Sequence, residues 1–161
     1  MLIGQGLDVH SFDEAMDRPL RLAGITIPEG PALAGHSDAD VVLHAVTDAL
    51  LGAAALGDLG SLIGVDQAET LDADSSAFVT EAMQLLGEQR FSVVNVDVTV
   101  VAARPRVSQY RQDMRDRLAE LLDIPIARVS LKATTTDHLG FIGRGEGIAC
   151  LCVVLLTDVV G

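Results

Sequence analysis

Aromatic residues are scarce: the 161-residue chain has no Trp, one Tyr and four Phe, although 49% of its residues are hydrophobic. A core built on large rings is excluded, and Val, Leu, Ile and Ala must fill it. Positive charge is scarce too, with 11 Lys and Arg against 23 Asp and Glu and a formal net charge of −12. Binding to nucleic acid or to an anionic membrane needs the opposite balance. An anionic ligand would therefore need local cations or a metal. No run approaches the roughly 18 apolar residues of a membrane span, and "MLIGQGLDVH" has neither the basic n-region nor the apolar h-region of a secretory signal. Cys150 and Cys152 stand two apart in an apolar run, where they read as small buried hydrophobes and not as a disulfide or zinc knuckle. A reducing cytoplasm is the expected setting. Low-complexity segments, internal repeats and composition breaks are also lacking, so a single domain over 1–161 is expected. Mean hydropathy is nonetheless +0.37, and burial in an oligomer interface is the simplest outlet for that surplus.

What is present is strongly periodic. "MLIGQGLDVHSF" reads as a strand, and "RPLRLAGITIPEGPALAG" as a second strand region broken by Gly and Pro, a hairpin followed by a loop. "HSDADVVLHAVTDALLGAAALG" is the clearest helix; Ser37 and Asp40 fit a capping box, which predicts a start near Ser37 and a stop at Gly57. The Gly-rich "GDLGSLIGVDQAETLDAD" reads as a loop, and "SSAFVTEAMQLLGEQR" as a second helix. "FSVVNVDVTVVAA" alternates Val94, Val96, Val98 and Val100 against polar residues, which is strand periodicity. A third helix carries Tyr110, Met114, Leu118, Leu121 and Leu122 on one stripe. "ARVSLKATTT" follows as a strand, and "GIACLCVVLLTDVV" as an apolar strand buried on both faces. The order β, β, α, α, β, α, β, β predicts an α+β fold of mixed layers, one sheet with helices on one face. The other face is too apolar for water and should be covered by assembly.

Three of the four histidines fall within the first 44 residues. Alternate strand residues point the same way, so Asp8 and His10 should aim at one spot. Asp40 and His44, four apart, should share a helix face. Asp8, His10 and His44 would give three N and O ligands with a fourth position open, the arrangement of a catalytic zinc. Spacing alone leaves the alternative of polar core or solvated histidines open.

The blocks "GLDVHSF", "HSDADVVLHAVTDALLGAAALGDLG", "NVDVTVVA" and "KATTTDHLGFIGRGEGIA", in this order, resemble the 2-C-methyl-D-erythritol 2,4-cyclodiphosphate synthase family over essentially the whole chain. The resemblance implies an enzyme of the non-mevalonate isoprenoid pathway, a phosphorus–oxygen lyase. It would close 4-diphosphocytidyl-2-C-methyl-D-erythritol 2-phosphate to the cyclic diphosphate and release CMP. It implies a homotrimer around an axial apolar cavity, with active sites between subunits, in a bacterial cytoplasm or a plastid stroma.

Residue by residue, the resemblance puts one Zn²⁺ per subunit on Asp8, His10 and His44, the first two also near substrate. His36 and Ser37 match phosphate contacts at the helix entrance, where free N–H groups favour an anion. Asp58 and Gly60 match the turn that binds diol and phosphate. Ala102, Pro105 and Arg106 match the cytidine segment. Thr134 and Thr135 match hydroxyl contacts to phosphate, with Lys132 a source of positive charge. His36 and Thr135 are the implied catalytic residues. Phe141, Arg144 and Glu146 match the signature near the trimer axis, with Phe141 and Arg144 also candidates for substrate contact. Mg²⁺ or Mn²⁺ would accompany the diphosphate, and its carboxylate falls on Asp137, where the family has Glu. Other departures are His138 for a common Lys, Gln5 for a frequent His, and "IGVDQ" for an F-P-D run in the 63–67 loop.

Overall fold

The computed structural model describes residues 1–15, 17–35, 37–63 and 73–159. His36 and most of the 63–67 loop, both named above, lie outside the described residues. Among the described residues, six strands and five α-helices run in the order β1 (Leu2–Ser11), β2 (Leu20–Leu22), β3 (Ile25–Ile27), α1 (Val41–Ala53), α2 (Leu59–Ile63), α3 (Ser76–Glu88), β4 (Phe91–Ala102), α4 (Arg111–Leu121), β5 (Val129–Thr134), α5 (Gly140–Gly143) and β6 (Gly147–Asp158). Four strands form one sheet in the order β1-β6-β4-β5, and β2 and β3 form a separate hairpin. The β1–β6 and β6–β4 pairs are antiparallel, while β4 and β5 are parallel.

The two glycines of β1 decide where α1 lies. A Cβ on Gly4 would sit 1.9 Å from the Ala49 carbonyl oxygen, and one on Gly6 would sit 1.9 Å from that of Ala45. The helix therefore rests directly on the strand backbone, which no side chain at these positions would permit. Beneath it Val41, Val42, Leu43, Val46, Leu50 and Leu51 are fully buried. Each such aliphatic side chain stabilises the fold by about 1.5–3 kcal/mol. The stripe expected on α4 is present in Met114 and Leu118, both fully buried, with Leu122 closing it at the C-cap.

Several expectations need correction. Helix α1 starts at Val41 rather than near Ser37, because Asp40 is the N-cap: its Oδ1 accepts from the Val42 and Leu43 N–H groups at 3.1 Å. Asp40 also accepts from Ala23 and Gly24 N–H at 2.9 and 2.6 Å. It thus pins the hairpin turn, whose two central residues have the positive φ of a type I′ turn. Asp40 is therefore not on a helix face beside His44. In β4, the register shifts between Val93 and Asn95. This bulge turns Val93 inward in place of Val94, while Val96, Val98 and Val100 are buried as expected. The Gly-rich segment read as a loop holds the short helix α2, stabilised by reciprocal capping between Asp58 and Ser61, and a single helical turn, α5, follows the polar turn after β5.

Strand β6 is not buried on both faces within one chain. Leu151 and Val153 are exposed, and they pair with Leu7 and Gln5 of β1, where Ile3, Leu7 and Val9 are exposed as well. The outward side of the β1–β6 half is thus a largely aliphatic surface, interrupted by Gln5. Toward β5 it turns polar, with Lys132 Nζ paired to Asp97 Oδ2 at 2.5 Å. Among the described residues no helix is long and apolar enough to cross a membrane. Cys150 and Cys152 are buried and free, and burial pushes both thiols well above the ordinary thiol range.

Candidate metal centre and nucleotide pocket

The glycine contacts that seat α1 on β1 also build the metal centre. Past Gly4 and Gly6, the next residues on the inward side of β1 are Asp8 and His10, and the helix presents His44 to them. Gly35 makes room for the His10 ring, since a Cβ there would lie 3.1 Å from its Cε1. His10 Nε2 and Asp8 Oδ2 are 2.9 Å apart, His44 Nδ1 and Asp8 Oδ2 3.0 Å, and the two nitrogens 3.1 Å. Nitrogen and oxygen ligands at zinc bond lengths lie about 3.3 Å apart around a tetrahedral ion. The triangle is of that size.

The outer atoms fix what each ring offers inward. His10 Nδ1 lies 2.5 Å from the Ala34 carbonyl. A carbonyl only accepts, so Nδ1 carries the hydrogen and Nε2 faces the site with its lone pair. Arg18 holds that loop by donating to the carbonyls of Leu33, Gly35 and Ser37. His44 Nε2 lies 3.2 Å from Ser37 Oγ and 3.0 Å from Ser75 Oγ, again leaving Nδ1 for the centre. Asp8 Oδ1 accepts from Val9 N–H at 2.9 Å, and Oδ2 is left for the centre. Burial works to raise the Asp8 pKa, but hydrogen bonds to His10 and His44 outweigh it and hold the carboxyl well below its usual range. Burial works against charge on His10, yet the Asp8 carboxylate raises its pKa above the ordinary value. Three acceptors converging on one point fit a divalent cation.

A second group gathers at the ends of β4 and β5. Ala102, Pro105, Arg106, Thr134 and Thr135 line one pocket of about 360 Å³, together with Val107, Ser108 and Ala133. His10 and Ala102 both pair with Ile148 of the central strand β6. The main chains of His10 and Ala102 therefore lie at the same end of the sheet, two strand spacings or about 10 Å apart. Thr135 Oγ1 accepts from Asp137 N–H at 3.2 Å and donates to its carboxylate at 3.3 Å. Asp137 and His138 both have positive φ, and both are exposed. Lys132 does not point along this turn; it is held on the outward sheet face by Asp97.

Asp58 and Gly60 are exposed at the start of α2. Asp58 Oδ1 accepts from the Ser61 N–H and hydroxyl at 2.8 and 2.7 Å, and Ser61 Oγ accepts from Asp58 N–H at 2.9 Å. These bonds hold the Asp58 carboxyl below its ordinary range. The turn is tied to α1 through Leu59 N–H, which donates to Asp48 Oδ1 at 2.7 Å. Phe141 and Arg144 are exposed on and after α5, with Arg144 Nε bonded to Glu146 at 2.6 Å. Sequence reading missed Arg18, Asp38, Asp48 and Ser75. Apart from the Asp40 N–H bonded to Asp38, the partners described here lie 11 to 37 residues away in sequence, so no local spacing marks them.

Residues 1–157 match the YgbB family model. A 2-C-methyl-D-erythritol 2,4-cyclodiphosphate synthase of Shouchella clausii is 49% identical over 154 residues, spanning 96% of this chain and 96% of that protein. The bifunctional enzyme IspD/IspF of Nitratiruptor is 49% identical over 154 residues, but the chain spans only 41% of its length. The solved IspF of Plasmodium falciparum, a CDP complex, is 30% identical with a TM-score of 0.85, covering 98% of this chain and 96% of that one. One family thus accounts for the chain from its first strand to its last, and the chain belongs to it: the YgbB family, that of the 2-C-methyl-D-erythritol 2,4-cyclodiphosphate synthases.

Proposed function

We propose that this chain converts 4-diphosphocytidyl-2-C-methyl-D-erythritol 2-phosphate to 2-C-methyl-D-erythritol 2,4-cyclodiphosphate and CMP, a step of non-mevalonate isoprenoid synthesis. The carrying observation is the three-acceptor centre of Asp8, His10 and His44, in a family whose relatives bear this activity in their names. The reaction is an intramolecular phosphoryl transfer, in which the 2-phosphate oxygen attacks the β-phosphorus and CMP leaves. Positioning and charge neutralisation do most of the work in such chemistry.

Asp8, His10 and His44 hold one Zn²⁺ per subunit, and Ala34, Ser37 and Ser75 orient the rings. When bound, zinc supplies Lewis-acid charge to a phosphoryl oxygen, and Mg²⁺ or Mn²⁺ near Asp137 offsets charge on the departing nucleotide. The pocket at Ala102, Pro105 and Arg106 seats the cytosine through main-chain groups. Thr134 and Thr135 hydroxyls donate to the diphosphate. The Asp58–Gly60 turn binds the diol, and His36 with Ser37 binds phosphate. The exposed aliphatic face of β1 and β6 supports a homotrimer packed around an apolar axis, with Phe141 and Arg144 near that axis. Adjacent copies would complete each other's sites and exclude water from the transfer. Unpaired buried cysteines support a cytoplasmic setting.

Phosphorus NMR of the protein with the cytidyl substrate, Zn²⁺ and Mg²⁺ tests the reading. Coupled cyclic-diphosphate signals with free CMP are expected. Inorganic phosphate or linear esters would instead make the chain a hydrolase, and unchanged substrate with zinc bound would make it a binding protein.

A further inference from the structure

Ser75 stands at the N-cap of α3, yet its hydroxyl makes no cap hydrogen bond. Asp74 does that work, accepting from Ser76 N–H at 2.8 Å. The Ser75 hydroxyl turns inward instead, fully buried, between the Asp38 carboxylate, to which it donates, and His44 Nε2 at 3.0 Å. A serine has one hydroxyl hydrogen, and here the carboxylate takes it. Toward His44 the oxygen can then only accept, so Nε2 must carry a hydrogen, and Nδ1 is the nitrogen left to give its lone pair to a cation held with Asp8 and His10. Asp38 is itself held from three sides: by Asp40 N–H at 3.2 Å, by Ser75 N–H at 3.3 Å and by the Arg21 guanidinium at 3.9 Å. Ser37 Oγ, the other neighbour of His44 Nε2, accepts from Ala39 N–H and has its own hydrogen free, so it does not by itself fix the ring.

We infer that Asp38 and Ser75 are positioning residues for the metal centre: their hydrogen-bond chain selects the His44 tautomer that can ligate through Nδ1. This rests on the metal centre proposed above and assigns a role to two residues that do not touch the ion. It also explains why a helix-capping serine forgoes its cap. Outer partners of metal-bound histidines commonly carry about 10–100-fold of the affinity for the metal.

The test uses the full-length protein as wild type, Ser75→Ala, Ser75→Thr and Asp38→Asn. Zinc affinity is measured by competition with a chromophoric chelator. Two-bond proton–nitrogen spectra of the histidine rings in the metal-free protein read the His44 tautomer directly, and a purely structural role would not move it. Expected is a wild-type ring protonated at Nε2, a mixture of tautomers in Ser75→Ala and Asp38→Asn with zinc bound about 10–100-fold more weakly, and near wild-type behaviour in Ser75→Thr. Unchanged tautomer and unchanged affinity in both disrupting variants would overturn the inference. If wild type itself binds no zinc, the metal centre fails, while the ring spectra still decide whether the chain sets the tautomer. A folded Ser75→Thr that also loses the Nε2 proton would count against it as well.

Discussion

Asp8, His10 and His44 have side chains that are 25%, 17% and 10% exposed, and each one's outer atom is held by the main chain or a hydroxyl. Thr134, Thr135 and Asp137, on the second half of the site, are exposed and bonded mainly to one another. The first half is carried by a strand and a helix in direct backbone contact. The second sits on a strand end and a turn with two consecutive residues at positive φ. A single chain thus assembles the candidate metal centre, whereas the pocket at Thr134 and Thr135 stays open to one side. The contrast separates a centre built by the fold of one chain from a pocket that a neighbouring copy would close in the proposed trimer.

The largest expected effect comes from breaking the finished half. His44→Ala removes one of three ligands and leaves Asp8 facing His10 alone. Zinc binding should be lost, and turnover should fall by about 10³-fold or more, equivalent to about 4 kcal/mol of transition-state stabilisation. The rate of CMP release with and without added Zn²⁺ checks this. A variant keeping a tenth of the wild-type rate would remove the centre from the mechanism.

Next comes the unfinished half. Val153→Asp places a charge at the middle of the exposed aliphatic face, which a trimer must desolvate. Sedimentation should show monomers, and turnover should drop about 100-fold, while chelator competition still reports wild-type zinc affinity. Loss of zinc together with turnover would contradict the division drawn between the two halves.

A smaller effect appears in the pH dependence of the metal centre. The raised pKa of His10 means that its protonated form stabilises the metal-free fold below the ordinary histidine value near 6.5, and that this stabilisation is lost as pH rises through the raised value. The lowered pKa of Asp8 contributes stability above the usual carboxylate range, lost only as pH falls through the lowered value. The metal-free centre is thus most stable in mildly acidic solution. Zinc needs His10 unprotonated and competes with that proton, so the rise in Tm on adding Zn²⁺ should grow as pH climbs from about 6.5 through the raised His10 value. A rise independent of pH would place the ion away from His10.

The same contrast governs what the sequence revealed. D-x-H on a strand and a histidine on an amphipathic helix are local patterns, and the structure brings Asp8, His10 and His44 together. The strand order along the chain was legible because β4 and β6 alternate or run apolar. Asp40 was misplaced by its spacing to Ser37, since its four N–H partners include Ala23 and Gly24, which only tertiary structure brings near. Val94 was misplaced because the bulge beside it is set by pairing with β6. Ser75 and Asp38 were invisible, being 31 and 37 residues from the partners that give them meaning.

The least effect is expected at Asp137, whose carboxylate is one methylene shorter than the Glu that the family resemblance implies there. The side chain is exposed and its one described partner is the Thr135 hydroxyl, so nothing rigid fixes its reach. Mg²⁺ keeps several of its own waters and is held by few carboxylates, which lets a bridging water span the missing length. Asp137→Glu should therefore lower the Mg²⁺ concentration for half-maximal turnover by about 2–5-fold, leave the maximal rate within about twofold, and not touch zinc affinity. Mg²⁺ titrations of both proteins at saturating Zn²⁺ measure this. Superimposable curves would mean that the carboxylate does not approach the ion. A tenfold rise in maximal rate would mean that the short side chain limits the transfer itself, and the open half of the site would then control turnover as strongly as the metal centre does.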